Sequence, residues 1–322
     1  MNKTSILLAL DGSESAYQAA QLALHLKQTN GALVTAQHVI DTRTAWRLLG
    51  APTDGLIGSG LYIAAYQSLC ESLLDLGNQL AQRYEAISSD KGTIGECIID
   101  KGSPFELILQ RLQQHDLLLI GHEPASISFP NYEDGAFSRA SLACALANAS
   151  DKPILIVRQF KTYKTMKIFC AIDDIDQVFI ANCSNIASML GVAAELAILN
   201  ANPKEQNSRL EREVEEACVG FEDMPKEIID LACEQGSVAL WSKKPFEIDL
   251  NSMSDSLLVV PTKKIDGKRT TIFGCSPGSF LRHLTVPQIM LYCQDRVEVA
   301  GKEVAQQRVV ADLVTLVASN TG

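Results

Sequence analysis

The sequence is poor in aromatic residues, 6% of the chain, and its two tryptophans, Trp46 and Trp241, stand alone. No apolar run approaches the roughly 18 residues that mark a membrane-spanning helix, so none is expected. Lysine and arginine do not cluster: 28 basic residues face 38 acidic ones, and the net charge is −10. A protein that tracks a phosphate backbone carries a basic face. Neither nucleic acid nor an anionic membrane surface is therefore an expected partner. The nine cysteines form no CxxC pair, and several sit inside apolar runs. They read as reduced, buried, structural thiols of a cytoplasmic protein. His38, His115, His122 and His283 lack metal-ligand spacing, so no metal is expected. Met1-Asn2-Lys3-Thr4 leads straight into a strand pattern, with no signal peptide expected.

What is present is a repeated plan. At 322 residues, with 47% hydrophobic and 20% charged residues, the chain reads as an ordinary globular protein. Two domains of about 150 residues each are the natural count. Ser5-Ile6-Leu7-Leu8-Ala9-Leu10-Asp11 is echoed by Lys167-Ile168-Phe169-Cys170-Ala171-Ile172-Asp173. Pro104-Phe105-Glu106-Leu107 is echoed by Pro245-Phe246-Glu247-Ile248. The stretches beginning at Asp116 and Pro153 are echoed by those beginning at Asp255 and Pro287. These landmarks recur in the same order. The expected domains are 1–160, a degenerate second copy at 165–295, and a C-terminal helix at 296–322.

The apolar run 5–10 suits a strand covered on both faces. Apolar positions at helical spacing follow over 14–28, and Gly31 stops that helix. A strand is expected at 32–39, a loop with Gly55, Gly58 and Gly60 at 41–62, and a long helix at about 62–88. Strands at 94–100, 116–120 and 153–158 alternate with helices starting at Pro104 and spanning 140–149. The second half predicts strands at 167–172, 195–200, 237–241, 256–260 and 287–292. Its expected helices span 176–190, 204–235, 245–253 and 277–284. Alternation of this kind implies right-handed crossovers and a parallel sheet. Ligands of such sheets bind outside the carboxyl ends of the strands, where strand order reverses. Asp11, Val39, Gly102 and Gly121 stand at those ends. An antiparallel contact between 153–158 and 287–292 would join the halves and leave neither strand an open edge.

Five segments of the first half form an ordered set of motifs: Ala9-Leu10-Asp11-Gly12-Ser13, His38-Val39-Ile40-Asp41, Gly102-Ser103-Pro104-Phe105-Glu106, Leu119-Ile120-Gly121-His122 and Ala140-Ser141. With these residues the chain resembles the universal stress protein family in tandem form, over about residues 3–295. Gly274, Leu281-Arg282-His283 and Val286-Pro287 match the end of the family pattern in the second half. The resemblance implies two tandem α/β domains, each an open, five-stranded, mostly parallel sheet with helices on both faces. It implies a non-enzymatic stress-response protein, with no catalytic residues. In the family's ATP-binding branch an aspartate ends the first strand and contacts adenine. A backbone position after the second strand also reads the base. A loop G-x2-G-x9-G-[S/T] after the fourth strand holds ribose and phosphates, because backbone N–H groups must approach the phosphates closely.

On this chain the resemblance places a nucleotide site at Asp11, Gly12, Val39, Gly121 and Ser141. Pro124 stands where the second loop glycine belongs, and it has no N–H to donate. Ala140 replaces the third glycine; an alternative alignment uses Gly135-Ala136 and loses the spacing to Pro153. Each lost hydrogen bond to a charged phosphate costs about 1.5–3 kcal/mol. One or two such losses lower affinity by roughly ten- to ten-thousandfold. AMP therefore suffers less than ATP in the first domain. In the second domain Asp174 replaces Gly12 and is expected to repel phosphate. Pro261-Thr262-Lys263-Lys264 reads as a glycine-free loop, so no nucleotide is expected there.

Each candidate has a plainer reading. Asp11 suits adenine recognition or a cap on the next helix. Ser141 suits a phosphate or a helix N-terminus. His122 beside Glu123 suits proton transfer or an ordinary surface. Glu211, Glu213, Glu215 and Glu216 read as a solvated helix face. The rival to a nucleotide site is an interaction module with both clefts inactive, the first filled by Ile127, Phe129, Tyr132 and Phe137. Protein partners and a homodimer of tandem chains complete the expectations.

Overall fold

The computed structural model describes residues 3–42, 59–122, 142–200, 215, 220–221, 223–230, 250–253, 255–284 and 286–294. Strand β1 (Ser5–Leu10) is the buried apolar run. Helix α1 (Glu14–Asn30) begins where Ser13 Oγ accepts the Ala16 N–H at 3.1 Å. It ends at Gly31, whose φ of +68° is a left-handed conformation that glycine adopts without strain. Next come β2 (Leu33–Asp41), α2 (Ser59–Asp90), β3 (Cys97–Gly102) and α3 (Pro104–Leu112). Strand β4 (Leu117–Gly121), α4 (Leu142–Ala149) and β5 (Ile154–Val157) close the first half. The second half carries β6 (Thr165–Ala171), a 3₁₀ turn Ile172–Asp174, α5 (Gln177–Leu190), β7 (Ala193–Asn200) and β8 (Lys226–Asp230). It continues through β9 (Leu257–Ile265), β10 (Lys268–Thr271), α6 (Pro277–His283) and β11 (Gln288–Cys293).

Among the described residues all the strands join one 11-stranded sheet, in the order β3-β2-β1-β4-β5-β11-β9-β6-β7-β8, with β10 paired to β9. Strand order reverses between β1 and β4, and again between β6 and β9. Within each half the path strands run parallel. The halves meet where β5 and β11 pair antiparallel, with Ile156 opposite Ile289 and Leu155 opposite Met290. This is the junction expected from 153–158 and 287–292.

The core follows from that junction. One face of the sheet buries Leu8, Leu155, Val157, Ile168, Val259 and Met290 together. The other buries Leu118, Ile156, Phe169, Leu258, Ile289 and Leu291. Both layers run through the β5–β11 seam. Polar contacts brace it. Arg269, its side chain 2% exposed, donates to Asp151 Oδ1 at 2.7 Å. Arg158 donates to the carbonyls of Leu281 at 2.6 Å and Val286 at 3.2 Å.

The structure departs from the sequence expectation at four places. Residues 226–230, expected inside a helix over 204–235, are strand β8; Pro225 ahead of it disfavours helical geometry at Met224. Residues 261–264, read as a loop, continue β9 into a hairpin. Asp266 (φ 50°) and Gly267 (φ 75°) form its two-residue turn, the Asp-Gly pair that suits a type I′ connection. Helix α2 starts at Ser59, so Gly60 lies in a helix and not in the loop. Strand β3 starts at Cys97, three residues later than expected. The strand expected at 237–241 and the helix at 296–322 lie outside the described residues. So does most of the helix expected at 245–253, of which Leu250–Met253 forms a 3₁₀ turn.

Candidate functional site

The carboxyl ends of β1 and β2 lie side by side, with Leu10 opposite His38 in register. A cavity of about 440 Å³ opens there, lined by Asp11, Gly12, His38, Val39, Ile40 and Asp41. Leu69, Leu73, Leu76 and Leu80 of α2 form its other wall. Those four leucines recur at spacings of four, three and four, which places them on one helix face. Leu76 remains 59% exposed because it overhangs the cleft instead of packing on the sheet. A second cavity of about 550 Å³ lies between α1 and α2 and shares Gly12 and Leu80 with the first.

Asp11, Gly12 and Val39 therefore line one cleft. Asp11 is exposed, and its Oδ1 accepts the Ser13 N–H at 2.9 Å. The helix cap expected of Asp11 is supplied by Ser13; Asp11 closes the turn ahead of it and stands at the cleft. Gly12 adopts φ +84°, and a Cβ there would stand 3.1 Å from Leu80 Cδ1. Gly121 has a different neighbour. A Cβ on it would lie 2.4 Å from the Ala16 nitrogen and 2.7 Å from Ser15 Oγ. The first turn of α1 occupies that space, so glycine is required here by packing. Ser141, Pro124, Ala140, Gly135 and Glu123 lie outside the described residues. The sequence reading missed the α2 leucine wall, whose signal was the 4-3-4 spacing.

His122 ends the β4 segment and is 4% exposed. Burial, and then the nearby Arg158 cation, push its pKa down to about 4. The ring is neutral at pH 7. An unfolded histidine titrates near 6.5, so the native state binds fewer protons between about 4 and 6.5. The resulting stabilisation is full above pH 6.5 and is lost as pH falls toward 4. Thermal melts should thus show stability falling by about 2–3 kcal/mol over that window. His122→Gln should flatten this slope; an unchanged slope in the variant would assign it to other groups.

The second half differs at the equivalent position. Asp174 in the turn after β6 pairs with Lys263 Nζ at 2.9 Å. The expected repulsion from Asp174 is corrected: its charge is compensated, because β9 runs on far enough to carry Lys263 to the end of β6. At the position that corresponds to the phosphate loop of the first half, the chain forms the β9–β10 hairpin. Gly274, at φ +76°, then turns the chain beside Phe273. Phe273 is buried, stacked on Phe280 at 5.4 Å and edge-on to Phe169 at 5.7 Å. The side chain of Asp173 lies outside the described residues. Among the described residues no group of histidine, cysteine or acidic side chains could hold a metal ion. Among them, too, no helix is long and apolar enough to cross a membrane.

The sequence pattern described as the Universal stress protein family matches residues 3–158. That part of the chain belongs to the universal stress protein family. The fold extends further. A universal stress protein from Archaeoglobus fulgidus DSM 4304 superimposes with a TM-score of 0.54 at 14% identity, covering 90% of this chain and 96% of that one. The protein PA1789 from Pseudomonas aeruginosa PAO1, described as functionally unknown, gives 0.50 at 13% identity, covering 90% and 92%. These likenesses carry the α/β architecture across both halves. Comparison with curated proteins returns no match. In the universal stress protein half, the cleft bounded by Asp11, Val39 and the α2 leucines opens between the ends of β1 and β2, on the β2 side of the β1–β4 switch point.

Proposed function

We propose that this chain is a non-enzymatic, cytoplasmic stress-response protein with a weakened adenine-nucleotide site in its first half. The domains are taken as 1–160, a nucleotide-free second copy at 165–295 and a C-terminal segment at 296–322. The observation that carries the reading is the cleft itself. An exposed carboxylate at Asp11 can accept the exocyclic amino group of adenine. The apolar residues Val39, Ile40, Leu73 and Leu76 suit the faces of a purine ring. Gly12 lets the backbone turn at its edge. Gly121 and Ser141 complete the set that the family pattern assigns to ribose and phosphate.

Isothermal titration tests this. AMP is expected to bind, ATP to bind more weakly, and Asp11→Ala to lose about tenfold or more in AMP affinity. ATP binding tighter than AMP would sink the weakened phosphate end. No binding of either would favour the second reading, an interaction module with both clefts inactive. That reading draws on Gly121, whose surroundings are filled by α1. A homodimer of tandem chains would have to form elsewhere than at β5, which β11 already occupies.

A further inference from the structure

One close approach between the two walls of the cleft is that of His38 of β2 to Gly77 of α2. His38 Nδ1 lies 2.8 Å from the carbonyl oxygen of Leu10. A carbonyl oxygen only accepts, so Nδ1 carries the hydrogen, and in the neutral ring Nε2 carries the lone pair. Leu10 is the last residue of β1, directly ahead of Asp11. The bond therefore holds the backbone from which Asp11 and Gly12 project.

The other face of the contact is a glycine inside a 32-residue helix. Glycine there costs about 1 kcal/mol relative to alanine, so intrinsic helix preference does not account for it. Close approach does. A Cβ on Gly77 would stand 3.0 Å from His38 Cδ2 and 3.4 Å from Nε2, with Ile99 Cγ2 at 3.6 Å. On the N-terminal side of Gly77, α2 runs out over the cleft with Leu69, Leu73 and Leu76. On the C-terminal side Ala81 and Tyr84 are buried against the sheet. Gly77 thus sits where the helix passes from packed to overhanging.

The geometry points to His38 and Gly77 as positioning residues that set how closely α2 sits over the cleft and hold the end of β1 beneath it. Their effect on ligand affinity rests on the nucleotide reading above; their effect on the cleft itself does not. Gly77→Ala adds one methyl group that the ring or the helix must yield to by a few tenths of an ångström. The same change improves helix preference. Stability and affinity therefore part company, which a purely structural role would not produce. His38→Phe keeps a ring under Gly77 but removes the donor to Leu10.

The test combines amide hydrogen exchange of the ligand-free proteins with AMP titration. In Gly77→Ala, exchange over residues 63–76 should quicken about fivefold or more, with the melting temperature held or raised. In His38→Phe, residues 11–16 should lose protection. AMP affinity should fall about tenfold in each variant. If Gly77→Ala does not fold, His38→Asn replaces it. Its amide keeps a donor for Leu10 but empties the space under Gly77, so exchange should rise in 63–76 and not in 11–16. Unaltered exchange in the variants overturns the inference. If the wild type binds no AMP, the nucleotide reading fails, and exchange alone decides this one.

Discussion

Ile156→Ala is expected to destabilise both halves of the chain together, by about 2–5 kcal/mol, in one cooperative transition. Ile156 is fully buried in β5 and lies directly opposite Ile289 of β11. Removing three of its side-chain carbons loses their transfer free energy and leaves a cavity in a layer shared by the two halves. The halves have no separate cores: Ile156 and Leu118 from one, and Phe169 and Leu258 from the other, belong to one buried layer. A chain of two independent domains would instead show two transitions, with only one displaced. Calorimetry with denaturation followed by two probes distinguishes these outcomes. The double variant Ile156→Ala, Ile289→Ala should depart from additivity by about 0.5–3 kcal/mol, because the two residues share one cavity. Additive losses would mean that the seam contributes less than its register suggests.

Gly121→Ala should cost about 3 kcal/mol, with or without nucleotide. The added methyl would meet backbone, the Ala16 nitrogen at 2.4 Å and the Ser15 carbonyl carbon at 2.5 Å. No rotamer change relieves a backbone collision, so the first turn of α1 must move off β4. That movement would disturb Ser13, which caps the helix, and with it the turn that Asp11 closes. Ala16→Gly should not rescue the variant, since the obstructing atoms are not in the Ala16 side chain. Retained stability with lost AMP binding would instead make Gly121 a ligand glycine and reverse the packing assignment. The two outcomes are separated by melting the variant in the absence of nucleotide.

Much of this site was legible in the sequence because it is local. Asp11, Gly12 and Ser13 form a strand end, a left-handed turn and a helix cap within three consecutive residues, and such chemistry is carried by residue type. Val39 was expected at the end of a strand over 32–39, but β2 runs two residues further, to Asp41, and Val39 lines the cleft from within it. The leucine wall was legible in principle, since its 4-3-4 spacing is a helix face. Nothing in the spacing says whether such a face meets the sheet or overhangs a cleft. The Asp266-Gly267 pair is a turn signal too, but only the pairing of β9 with β10 shows the hairpin that it closes.

Residue order alone sets the alternation of strands and helices, their caps and most of their limits. Those depend on side-chain periodicity and on glycine, proline and serine at fixed local offsets. What stands beside each of the matching residues comes from the tertiary structure alone. Gly121 reads as a loop glycine until α1, about a hundred residues earlier, is seen to fill its space. Asp174 reads as a repulsive charge until Lys263 is brought against it from β9. Gly77 reads as a flaw in a long helix until His38 is found beneath it. Each of these depends on atoms distant in the chain meeting within 4 Å, and no local pattern encodes that distance.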